Sequence, residues 1–198
     1  MRKKVLIGLG VILLAIVFIG FGFTKNVEVQ KEYEQAMERG MTQTKKCEYQ
    51  AAKISFQNAA KRKQDDPQAE RNIKQLDLYM KAKTALNQQN YDQAKKFFDQ
   101  AADADHGLNV LVRRSSAYAT EIEEAQSQLA SFEKIYDEAV ECNEEGNYAK
   151  SNTLLTSILK YHGIKEQYYD SIYAKAKHLK HENDQFLMPA YPLKSEHK

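Results

Sequence analysis

Five histidines and two cysteines are the side chains of this 198-residue chain best suited to metal or covalent chemistry. His178 and His181 stand three residues apart with Glu182 beside them, a spacing that shares one helical face. A zinc-type site needs three or four ligands at set spacing. No further Cys or His stands at such a distance, so no metal site is expected. His106 and His162 each precede a glycine, Gly107 and Gly163. There an imidazole meets the negative end of a finishing helix, which accounts for it without catalysis. Cys47 and Cys142 lie in widely separated segments. A disulfide needs Cα atoms within about 7 Å, so two free, half-buried thiols are expected. There is no glycine-rich phosphate loop, no nucleophile elbow and no HExxH. The carboxylates are interspersed with Lys and Arg, the pattern of solvated helix faces. The chain is expected to be no enzyme and to use no cofactor.

Helices are the elements that must position these side chains. Tyr49-x-x-Ala52-x-x-x-Phe56-x-x-Ala59 returns as Tyr91-x-x-Ala94-x-x-x-Phe98-x-x-Ala101, and again as Tyr148-x-x-Ser151-x-x-x-Leu155-x-x-Ile158. Intervals of three and four put each set on one helical face, with bulky and small residues alternating so that a neighbouring helix can approach. Internal repetition of this kind marks stacked helical hairpins. The spacing predicts helices over 33–46, 48–63, 67–89, 91–104, from Ser115 or Ser116 to Glu145, and over 148–161. A last amphipathic helix over 164–181 would cap the open end. Asp65-Asp66-Pro67 reads as a helix start. Gly107 is expected to take the left-handed conformation past a helix end, and Leu108–Arg114 to be a connector, bare or with a turn of helix. Only four glycines follow Gly22, and the whole chain has three prolines, which favours helix throughout.

The N-terminus predicts a membrane anchor. Val5 to Phe23 carries no charge and spans roughly 28 Å as a helix, close to the ~30 Å of a bilayer core. Arg2, Lys3 and Lys4 precede it, so the positive-inside rule places residues 24–198 outside the cytoplasm. A cleaved signal peptide is the rival, but its apolar run is usually shorter and ends in small residues, which Gly20-Phe21-Gly22-Phe23-Thr24 does not supply. The expected division is a basic stretch 1–4, an anchor 5–23, a connector or helix start 24–32, a helical domain 33–182 and a tail 183–198. Setting aside Arg2, Lys3 and Lys4 leaves 26 cations against 27 acids. That balance argues against nucleic acid, which calls for a clustered basic excess.

The repeated pattern resembles the tetratricopeptide repeat. Gly40, Ala82 and Ala139 each stand nine residues before the motif tyrosine, where that family places a small residue. Gly146 stands where it places a turn glycine, with Cys47 and Gln89 in the other two units. The spacings of 42 and 57 residues between motif tyrosines are longer than the family period, which fits helices lengthened at their N-terminal ends. The resemblance implies an all-α fold, a transmembrane helix followed by a helical-hairpin solenoid with a capping helix. It also implies a protein-binding scaffold whose concave face offers Met37, Met41, Tyr79, Leu86, Asn87, Tyr136, Val140 and Asn143. Glu38, Asp137 and Glu144 lie nearby, favouring an apolar or mildly basic peptide segment as partner. The expected setting is a bacterial cell-envelope or secretion assembly at the cytoplasmic membrane. The alternative is a translocon-associated, chaperone-like factor that holds exported chains transiently. Self-association, through the end helix or the apolar tail Phe186–Leu193, stays open.

Overall fold

The computed structural model describes residues 25–64 and 66–188. Of these, 84 % are helical, in seven α-helices, and none is in a strand. The helices are α1 (25–45), α2 (Tyr49–Arg62), α3 (Pro67–Asn87), α4 (Tyr91–Ala102), α5 (Asn109–Glu144), α6 (Tyr148–Leu159) and α7 (Asp170–Leu187), with a short 3-10 turn at Gln167–Tyr169. The chain forms two compact units, Met1–Ala119 and Thr120–Lys198, and the division falls within α5.

The membrane architecture is corrected. The anchor expected over Val5–Phe23 lies outside the described residues. Among those residues no helix is long and apolar enough to cross a membrane. Even the longest, α5 with 36 residues, carries Glu121, Glu123, Glu124, Glu133 and Lys134. This overturns the single-pass fold class and the extracytoplasmic placement.

The three motif copies build three hairpins whose turns share one geometry. Cys47, Gln89 and Gly146 all have left-handed backbones, with φ of 65°, 57° and 76°. Each donates its N–H to the carbonyl three residues back (Thr44, Leu86, Asn143) at 3.1, 2.9 and 2.9 Å. The next residue (Glu48, Asn90, Asn147) donates to the carbonyl five back (Gln43, Ala85, Cys142) at 2.9, 2.9 and 2.8 Å. This six-to-one closure uses helix-end carbonyls that have no intrahelical partner. The side chains of Asn90 and Asn147 then accept from Gln93 N and Lys150 N, capping α4 and α6. Only the third copy has the glycine such a turn favours; the first two hold a side chain in the same strained place.

Below each turn the small-bulky alternation is realised as packing. Ala52, Phe56 and Ala59, Ala94, Phe98 and Ala101, and Ser151, Leu155 and Ile158 are all fully buried. Gly40 faces the Phe56 ring so closely that an added Cβ would lie 2.7 Å from it. Ala82 and Ala139, at the matching positions, are likewise fully buried.

In the first unit α3 packs against both α2 and α4. Asp66 caps α3, accepting from Gln68 N, with Pro67 in the first turn. Two expectations fail at the α4–α5 junction. The left-handed residue is His106 (φ 52°), not Gly107. An added Cβ at Gly107 would meet the Gln75 side chain at 2.7 Å, so this glycine serves close approach instead. Leu108–Arg114 is not a loose connector, because α5 begins at Asn109. Buried Gln75 fixes that start: its Oε1 accepts from Leu108 N at 2.7 Å, and its Nε2 donates to Ala101 O at 2.9 Å. The fifteen extra residues between the second and third motif tyrosines are accounted for here. The first turns of α5 belong to the first unit, and the rest forms the next hairpin.

In the second unit α6 packs against α7. Phe132 meets Tyr161 and Tyr169 edge-on, at centroid distances of 5.0 and 5.5 Å. Gly163 takes a left-handed backbone (φ 95°) after α6. Residues 25–32 are helical, the second of the two forms expected for them, and Asn183–Leu187, expected in a tail, continue α7. Residues 189–198 lie outside the described residues.

Candidate functional site

The eight residues expected on a concave face divide by unit and by exposure. In the first unit Met37, Tyr79 and Leu86 are buried, whereas Met41 and Asn87 are exposed. Tyr79 is held in an aromatic cluster, with ring centroids 4.9 Å from Tyr49, 5.7 Å from Phe98 and 6.5 Å from Tyr118. Tyr118 stacks on Phe98 at 4.9 Å, and Lys83 Nζ lies 4.3 Å over the Tyr118 ring. Burial pushes the Tyr79 and Tyr49 phenols above their ordinary range. Arg114 of α5 completes the cluster. Its Nη1 donates to Thr44 O at 2.9 Å and to the Tyr49 hydroxyl at 3.1 Å, and its Nη2 donates to Lys45 O at 2.9 Å. A cation on the last carbonyls of α1 is favourable for both hydrogen bonding and the helix dipole. The structure thus places Met37, Tyr79 and Leu86 among its packed, buried residues.

In the second unit Tyr136, Val140 and Asn143 are half-buried. Burial, with Glu182 and Asp137 nearby, raises the Tyr136 phenol. Asn143 belongs to a polar ladder through the core. Its Nδ2 donates to Asn183 Oδ1, Asn183 Nδ2 donates to Ser151 Oγ at 2.7 Å, and Ser151 Oγ donates to Ala139 O at 2.7 Å. Asn183 is fully buried. Asn152 and Lys180 both donate to Asp184, at 2.7 and 2.9 Å. The Lys180 bonds hold the Asp184 carboxyl below the usual carboxylate range. These bonds tie α5, α6 and α7 together.

The first unit instead offers a groove one step around α3. It encloses about 460 Å3, with α3 as floor and α2 and α4 as walls. Met80, Ala85 and Phe97 supply apolar surface, and Gln50, Gln88, Gln93 and Lys81 supply polar groups. Lys53 and Asp77, also in its lining, form an ion pair at 2.6 Å. From Asp77 to Gln88 the α3 floor is about 16 Å long, room for roughly five residues of extended chain. Sequence reasoning missed it because the buried stripe of α3 is interrupted by the polar Asn72 and Gln75. The available signal was Met80 on a helix flanked by two motif copies.

His178 Nδ1 lies 3.4 Å from Glu182 Oε2. Among the described residues no group of three or more His, Cys, Asp or Glu could hold a metal ion. Cys47 is exposed and Cys142 buried, and both are free thiols. No family model matches the chain, and no curated protein or solved structure matches it either.

Proposed function

We propose that this chain is a protein-binding scaffold of tetratricopeptide-like helical hairpins, holding a segment of a partner protein in the groove over α3. The observation that carries this reading is the hairpin turn made three times with the same hydrogen bonds over the same buried small-bulky core. Such repetition holds the packing constant while leaving the surface between hairpins free to vary, and stacked arrays present extended binding surfaces in this way. The groove suits a peptide. Met80 is an adaptable apolar contact, and the glutamine rim offers donors and acceptors to a peptide backbone. The partner is held, not chemically transformed.

Co-purification tests the reading. Full-length tagged protein is compared with Met80→Glu combined with Gln88→Glu, and with Met41→Asp combined with Asn87→Asp. The expected result is a discrete partner that survives washing and falls about tenfold with the first pair only, as for the loss of ~1.4 kcal/mol of binding. Unchanged recovery with the first pair refutes the groove. Loss with the second pair alone moves the site to the face of Met41 and Asn87.

A further inference from the structure

The first hairpin carries a separate groove on which the reading above places no partner. It encloses about 560 Å3 between α1 residues, including Glu32, Gln35 and Arg39, and the last turns of α2, with Asn58, Lys61 and Arg62. Three cations line it against one carboxylate, and that carboxylate is engaged: Glu32 Oε2 lies 3.3 Å from Arg62 Nε. Among the described residues Arg39 and Lys61 form no ion pair. Two other cations of this unit are paired, Lys53 with Asp77 at 2.6 Å and Lys95 with Asp99 at 3.1 Å. The lining of the groove thus carries a positive excess, on a chain whose overall formal charge is only +2.

We infer that this groove binds an acidic, extended segment of a partner protein, two carboxylates of which pair with Arg39 and Lys61. From Glu32 to Arg39 the α1 wall is about 10 Å long, which fits about three residues of extended chain. Side chains two residues apart on such a chain point the same way, about 7 Å apart, so alternate acidic residues present their carboxylates to one face of the groove. The amides of Gln35 and Asn58 can serve the segment's backbone. A peptide fits better than nucleic acid, because so short a groove cannot follow a run of phosphates. None of these residues lines the α3 groove, so either site can fail without the other.

Fluorescence anisotropy on the full-length protein tests this with three labelled probes: a decapeptide alternating Glu and Thr, one alternating Lys and Thr, and a ten-nucleotide single-stranded DNA of mixed sequence. The expected result is salt-sensitive binding of the acidic peptide. Arg39→Glu with Lys61→Glu should weaken it about tenfold, since two rim pairs are lost and replaced by repulsion. Lys165→Glu with Lys177→Glu, the same charge change on exposed residues of the second unit, should change it less than about twofold. The inference is overturned by any of four results: no binding of the acidic peptide, equal binding of the lysine peptide, tighter binding of the DNA, or equal weakening by both pairs of substitutions. Far-UV circular dichroism verifies that the variants stay folded.

Discussion

The left-handed turn residues yield a prediction with opposite signs at equivalent places. Cys47, Gln89 and Gly146 share one backbone conformation and one hydrogen-bond pattern, but only Gly146 lacks a Cβ. An L-residue in that conformation is strained by roughly 1–2 kcal/mol. Glycine there avoids the strain but loses about 0.5–1 kcal/mol more chain entropy on folding. The difference is a net gain of about 0.5–1 kcal/mol for glycine. Gln89→Gly should therefore stabilise the first unit, and Gly146→Ala should destabilise the second, by about that much. The second substitution is clean, because an added Cβ at Gly146 meets nothing within 4 Å. The assay is urea unfolding followed by far-UV circular dichroism, with hydrogen exchange to assign each change to its unit. With a slope of about 2 kcal/mol/M, the midpoints should move by roughly 0.3–0.5 M in opposite directions. If Gly146→Ala is neutral or stabilising, as it would be in a helix interior, the shared-turn reasoning is wrong.

Three further outcomes follow from the packing and the buried polar groups. Arg114→Ala removes three hydrogen bonds and leaves the α1 end carbonyls unserved. It should cost about 1.5–3 kcal/mol and speed amide exchange at the α1–α2 turn, whereas unchanged exchange there would refute the clamp. Asn183→Ala should cost about 2–4 kcal/mol by orphaning Ser151 and Asn143 in the core. A thermal midpoint lowered no further than by Gln185→Ala, an exposed neighbour, would show the ladder to be dispensable. Tyr49 and Tyr79 have raised phenol pKa values in the fold, while the unfolded chain ionises near pH 10. Their stabilising contribution is complete below pH 10 and is lost as pH rises from there toward the raised folded values. Urea midpoints should accordingly fall between pH 9 and about pH 11, and Tyr79→Phe should flatten that fall.

The parts of the fold legible in the sequence are those set by local spacing. Ala52, Phe56 and Ala59 and their counterparts were readable as buried because three-and-four periodicity alone selects a helix face. Asp66-Pro67 and Gly146 were readable because their conformational preferences are local. Residues that act over long distances were not. Leu108–Arg114 looks like a connector until Gln75 and the α1–α2 turn supply partners from far along the chain. Gly107 looks like a left-handed stop until Gln75 is seen beside it. Asn143 and Asn183 read as surface residues, since polarity alone does not reveal that each satisfies the other inside a core. Tyr79 was placed on an open face because the rings that surround it, Tyr49, Phe98 and Tyr118, come from three other helices far along the chain.

Site-specific photo-crosslinking in cells tests the proposed scaffold function most directly, with benzoyl-phenylalanine placed at position 80 on the floor of the α3 groove, or at position 165 on the surface of the second unit. A discrete crosslinked product at position 80 that is absent at position 165 is the expected result. No product at position 80, or the same products at both positions, would contradict a partner-binding groove over α3.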